Sequence, residues 1–211
     1  RSSRGLGDVY KRQILFLFIS CYITSQQSSP NTALSELILE YTSAAYPSET
    51  LSEFLYIGIR RQRMYHFKNS HIVSSYSIST SSEGAGNMMG SYKTPTGLHQ
   101  IAEKIGGNAP VATLFVNKKN TGKVVHINKS EISLNKDEIT SRILSLKGLQ
   151  QGINKGKKYD TFARGIYIHG TSDEASIGQP SSHGCIRMKN DDIIELFDLL
   201  SVGAKVVLLN N

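Results

Sequence analysis

Ile168-His169-Gly170-Thr171 and, a short interval later, Ser182-His183-Gly184-Cys185-Ile186-Arg187-Met188 bring a thiol, two imidazoles and adjacent glycines close together in the chain. Those groups suit acyl transfer to sulfur. A thiol reacts as its thiolate, and a neighbouring imidazole can take its proton near neutral pH. Glycines let the backbone come close to a bound peptide and turn amide N–H groups toward a developing oxyanion. Cys185 is the candidate nucleophile and His169, sixteen positions earlier, the candidate base.

The surrounding pattern sets the fold class. Gly165-Ile166-Tyr167-Ile168 reads as an apolar strand ending at His169, which would hold the imidazole on a rigid element. Short alternating or β-branched runs predict further strands in Phe54–Lys68, His71–Thr80, Leu98–Ile105, Ala112–Val116, Val124–Ile127, Ser141–Leu146 and Ala204–Leu209. The stretch Ser81–Lys93 is a glycine-rich loop, and Thr94-Pro95-Thr96-Gly97 a turn in which Pro presets φ. Helical spacing of Ile193, Ile194, Leu196, Phe197 and Leu200 predicts one helix after the cysteine, capped by Asn190 or Asp191, with Gly203 beyond its end. Leu34, Leu37, Ile38 and Tyr41 predict a short helical lead-in within 31–50, ending before Pro47. Many short strands and few helices mean a mainly β sandwich or barrel.

The paired strings resemble the active-site signature of the YkuD-type L,D-transpeptidases, in which His-Gly or His-Ser precedes Ser/Thr-His-Gly-Cys by this spacing and an aliphatic residue and Arg or Asn follow. Phe54–Lys68 is similar to the family's opening hairpin, and Thr94-Pro95-Thr96-Gly97 to its Thr-Pro-x-Gly turn. The resemblance covers about 54–209, with 108–137 aligning poorly, as a local insertion or a lid over the site. It implies that Cys185 attacks a peptidoglycan stem peptide and that His169 transfers the proton, oriented by the carbonyl of Gly170. D-Ala leaves and a thioester forms, without cofactor or metal. An amine on a second stem, or a wall-anchored lipoprotein lysine, then accepts the acyl group; water as acceptor would give a carboxypeptidase.

The remaining loop residues carry two readings each. The N–H groups of Gly184 and Cys185 are the expected oxyanion hole. His183 lines the site or braces the loop, Arg187 binds a substrate carboxylate or pins the loop by a salt bridge, and Ser182 contacts substrate or bonds the loop backbone. His66, His71, His99 and His126 lie in strand-like runs and read as structural. Two other classes stay open: a zinc hydrolase with His169, His183 and Cys185 as ligands, and a wall-binding module without catalysis.

Composition narrows the setting. The only cysteines are Cys21 and Cys185, so there is no disulfide framework. A net charge of +7 is dispersed, and its densest runs, Arg60-Arg61-Gln62-Arg63 and Lys155-Gly156-Lys157-Lys158, lack the aromatic interleaving of a nucleic-acid face. A mildly basic surface suits an anionic wall polymer or simply a solvated face. Residues 1–13 read as a cloning artefact, and Ile14–Ile23, an apolar run after Lys11-Arg12, as a signal h-region within a 1–30 leader. Export to the periplasm or cell envelope is expected, with Cys21 a candidate lipid anchor and the catalytic domain a monomer.

Overall fold

The computed structural model describes residues 30–211, so the leader and Cys21 lie outside the described residues. The chain divides into two compact units, the second beginning at Tyr46. In the first, helix α1 spans Pro30–Ala45 and stops two residues short of Pro47, which disfavours helical backbone in the residue before it. Among the described residues no helix is long and apolar enough to cross a membrane.

The second unit is built on ten strands: β1 (Glu53–Gly58), β2 (Arg63–Lys68), β3 (His71–Ser77), β4 (Gly97–Ile105), β5 (Thr113–Val116), β6 (Lys119–Val124), β7 (Ile139–Gly148), β8 (Tyr167–Thr171), β9 (Ile186–Met188) and β10 (Lys205–Leu209). They pair in the order β3-β2-β1-β10-β4-β7-β5-β6, with β8 on the other edge of β7 and β9 on β8. Only β1–β10 and β8–β9 are parallel. Ser79, just past β3, donates its N–H to the carbonyl of Arg187 at 2.9 Å and accepts the Arg187 N–H at 2.8 Å. That bridge closes the circuit β3-β2-β1-β10-β4-β7-β8-β9 into a barrel and leaves β5–β6 as a hairpin branching from β7.

Alternation along the strands fills the barrel. Leu55 and Ile57 of β1, Leu144 and Leu146 of β7, Ile168 of β8, Ile186 and Met188 of β9, and Val206 and Leu208 of β10 share one buried cluster. Helix α2 (Asn190–Leu199) plugs it with Ile193, Leu196 and Phe197, joined by Leu200 just beyond the helix. This helix starts earlier than its apolar spacing suggests, and neither Asn190 nor Asp191 caps it. Lys189 occupies the cap position without a side-chain bond, and Glu174 Oε1 accepts the Asn190 N–H at 2.8 Å instead. A carboxylate from another loop thus satisfies an amide that a local cap would otherwise serve.

Two strand expectations need correction. Val124–Ile127 is not a strand; β6 lies earlier, because the tight turn through Asn117 and Lys118, both at positive φ, folds Lys119–Val124 back on β5. Strand β9, only three residues long, escaped the sequence patterns; it exists because β8 and Ser79 hydrogen-bond it on either side. The turn expected at Thr94–Gly97 does not form: Thr94 bridges to Ala85, Pro95 and Thr96 run on without a turn, and Gly97 opens β4 at φ +99, its missing side chain leaving room for Gln150 Oε1 and Asn154 Nδ2.

Candidate active site

Strands β8 and β9 run parallel with Ile168 beside Ile186 and His169 beside Arg187. Since Ile168, Ile186 and Met188 enter the core, Tyr167, His169, Cys185 and Arg187 belong to the opposite face. The structure therefore brings Cys185 and His169 to one side of two paired strands. The register continues past the strand end: the Tyr167 N–H donates to Cys185 Sγ at 3.4 Å.

The cysteine is held by its own loop. Ser182 Oγ donates to the Cys185 carbonyl at 2.6 Å and accepts the Gly184 N–H at 3.2 Å. Gly184 has φ +126, where side chains are rarely tolerated, and a Cβ there would sit 3.2 Å from Ile166 Cδ1 and 3.3 Å from the Lys93 carbonyl oxygen. Ser182 is fully buried and its hydroxyl is spent on this turn, so it braces the loop rather than meeting substrate. The Gly184 amide, expected as half of the oxyanion pair, donates to Ser182 in this loop.

Burial sets the protonation of the two central groups. Cys185 keeps partial solvent access, yet desolvation pushes its thiol up to about 12 against the opposing Tyr167 N–H. The thiol donates toward the Gly165 carbonyl oxygen at 3.5 Å. His169 is 1% exposed, and desolvation brings it down to about 4. A neutral imidazole beside a carbonyl must donate, so the 2.7 Å contact of His169 Nδ1 with the Gly170 carbonyl oxygen puts the proton on Nδ1 and the free lone pair on Nε2. The resting site therefore holds a thiol and a neutral imidazole, not an ion pair.

Asp137, which the sequence patterns did not single out, joins the loop from the segment before β7. Its carboxylate lies 2.5 Å from His183 Nδ1 and accepts from Arg187 Nε at 2.9 Å. Burial pushes the Asp137 carboxyl up, but Arg187, His183 and His169 outweigh it and hold it below the ordinary carboxylate range. Arg187 is 1% exposed and also donates to Ser181 Oγ at 3.1 Å, so of its two readings the structure supports the salt bridge over substrate binding. His183 is exposed and stands edge-on to Tyr92 at the rim. Among the described residues no group of three or more His, Cys, Asp or Glu is placed to hold a metal, and His183 turns to Asp137 instead of joining His169 and Cys185.

Beside the cysteine lies a cleft of about 300 Å³ lined by Met89, Gly90, Tyr92, Ala163, Arg164, Ile166 and His183. Cys185 and His169 do not line it, but His183 and Ile166 tie it to the loop and to the strand carrying them. Arg164 was also unremarked in the sequence. Its guanidinium donates to the Gly86 carbonyl at 3.0 Å and to that of Lys93, holding the glycine-rich loop as one wall, and its charge favours ionised Cys185. Its position three residues ahead of β8, the strand that carries His169, was the available signal; Asp137, within the poorly aligning 108–137, offered none. Two of the other histidines have partners of their own: His66 meets Glu53 at 3.0 Å and buried His99 meets Thr161 Oγ1 at 3.0 Å.

A family model described as YkuD, L,D-transpeptidase catalytic domain, matches residues 52–208. Among curated proteins, the chain is 46% identical over 44 residues to the putative L,D-transpeptidase YqjB of Bacillus subtilis, covering 21% of this chain and 25% of that protein. It is 51% identical over 41 residues to the putative L,D-transpeptidase YkuD of the same organism, covering 19% and 25%. These matched stretches span about a quarter of each relative's length. An Enterococcus faecium L,D-transpeptidase structure is 13% identical with a TM-score of 0.46, covering 75% of this chain and 50% of that one. With most of its length matched by one family model, the chain belongs to the YkuD family of L,D-transpeptidase catalytic domains.

Proposed function

We propose that the protein is an exported, cysteine-dependent L,D-transpeptidase acting on peptidoglycan stem peptides in the cell envelope. The observation that carries this reading is the placement of Cys185 and His169 on one face of β8–β9, with His169 Nδ1 anchored on the Gly170 carbonyl so that Nε2 is the basic atom.

Because the resting pair is neutral, proton transfer accompanies attack. Sγ bonds to the carbonyl carbon of the third stem residue as its proton passes to His169 Nε2. The Cys185 N–H supports the tetrahedral oxyanion, the role that Gly184 cannot fill while Ser182 holds its amide. Collapse breaks the amide bond to the terminal D-Ala, whose nitrogen takes the proton from Nε2, and leaves a thioester. An acceptor amine then attacks the thioester, gives its proton to Nε2 and releases the thiol as a 3→3 cross-link forms. Proton balance closes without metal or ATP.

Incubation with purified muropeptides followed by mass spectrometry tests the reading. A cross-linked dimer and free D-Ala, absent with Cys185→Ala, are expected; trimmed tripeptide alone would identify hydrolysis of the same thioester. No product, with muropeptide binding intact in Cys185→Ser, would make the chain a wall-binding module.

A further inference from the structure

Asp137 touches both flanks of the cysteine. His183 and Arg187 stand two residues before and two residues after Cys185, and the same carboxylate bonds each. The segment that supplies it is anchored independently of the loop: Asp173, fully buried, accepts from Asn128 Nδ2 at 2.8 Å, from Ser133 Oγ at 2.6 Å and from the Leu134 N–H at 3.1 Å. Arg187 is a buried cation beside His169 in the β8–β9 register, and a buried charge without a partner is costly.

We propose that Asp137 is a positioning residue for the cysteine: it clamps the loop through His183 and Arg187 and balances the Arg187 cation that lies against the reacting pair. The inference rests on reading Cys185 as the nucleophile. Charged and titratable groups acting on Cys185 come from every element around it: Asp137 before β7, Arg187 on β9, Arg164 in the segment before β8 and Tyr167 at its start. Asp137 opposes the thiolate, while Arg187 and Arg164 favour it. Desolvation is the main cause that keeps the resting thiol protonated, and the carboxylate adds to it.

The test reads alkylation of Cys185 by iodoacetamide at pH 8, followed on its own peptide by mass spectrometry in the full chain. At that pH the rate follows the thiolate fraction, so a fall of one pKa unit appears as roughly tenfold faster alkylation. Asp137→Asn is expected to accelerate it about fivefold or more. Adding Arg187→Gln to Asp137→Asn removes the stranded cation and is expected to bring the rate back to within about twofold of wild type. A merely loosened loop would stay fast in the double variant, and that result overturns the proposal, as does an unchanged rate in folded Asp137→Asn. His183 is exposed, so His183→Ala folds even where Asp137→Asn does not; it leaves the Asp137–Arg187 pair in place, so its rate is expected to stay within about twofold of wild type, and a rise of fivefold or more would show that loosening alone speeds alkylation and overturn the proposal. Because no muropeptide is used, this outcome is independent of whether the chain proves to be a transpeptidase.

Discussion

His169 Nδ1 lies 2.7 Å from the carbonyl oxygen of the next residue, Gly170, so the imidazole is aimed by its own backbone rather than by a carboxylate. Nothing else is needed to fix the tautomer. His169→Gln keeps the volume but not the proton transfer, and thioester formation is expected to fall by about 10²–10⁴-fold with folding retained. Single-turnover acylation with a stem tetrapeptide, alongside a thermal melt, measures both.

Gly170 has its own reason to lack a side chain. A Cβ there would come within 2.7 Å of both Asn190 Oδ1 and the Thr140 carbonyl oxygen. Gly170→Ala is therefore expected to destabilise the domain by ~1–3 kcal/mol and to shift the carbonyl that orients His169. Denaturant unfolding and the acylation rate should both report the loss.

Gly184→Ala should be more severe for activity than for stability. It forces a side chain into φ +126 and against Ile166 and the Lys93 carbonyl, beside Cys185. The expected cost is ~1–3 kcal/mol of stability, by strain, together with near-complete loss of acylation. Retained acylation in a folded Gly184→Ala would show that this loop geometry is dispensable.

The two buried neutral histidines make the domain acid-labile. His99 and His169 each titrate near 6.5 when unfolded but are brought down by burial to about 4 in the fold. The unfolded state then binds more protons between those values. Their contribution is complete above pH 6.5 and declines as pH falls toward 4, by roughly 3 kcal/mol per histidine at most. Asp137, held low by Arg187, His183 and His169 against the upward push of burial, adds to the loss at still lower pH. At the alkaline end the Cys185 thiol, moved up from 9.0 to about 12, contributes stability below pH 9 that is lost as pH rises toward 12. Urea midpoints across pH 4 to 8 should fall steadily on the acid side, and less steeply in His99→Gln.

Carbapenem-type β-lactams, by family resemblance, should acylate Cys185. Intact-mass spectrometry should show one drug-sized adduct that Cys185→Ala lacks. No adduct at millimolar drug would count heavily against the nucleophile assignment.

The sequence by itself determined the chemical inventory and the faces. The apolar run through Ile168 told of the strand that ends at His169, and the spacing of Ile193, Leu196 and Phe197 told of the helix after the cysteine, because strand and helix periodicity are local properties. Tertiary structure alone decided the rest. The Ser79–Arg187 bridge that closes the barrel, the carboxylate of Asp137 on Arg187, and the desolvation that keeps Cys185 and His169 neutral all depend on which distant surfaces meet. Hydrogen-bond partners far apart in sequence, and the removal of water around them, leave no periodic trace in the chain, so Arg187 and Ser182 kept two readings each until the fold gave Arg187 its bond to Asp137 and Ser182 its bond to the Cys185 carbonyl.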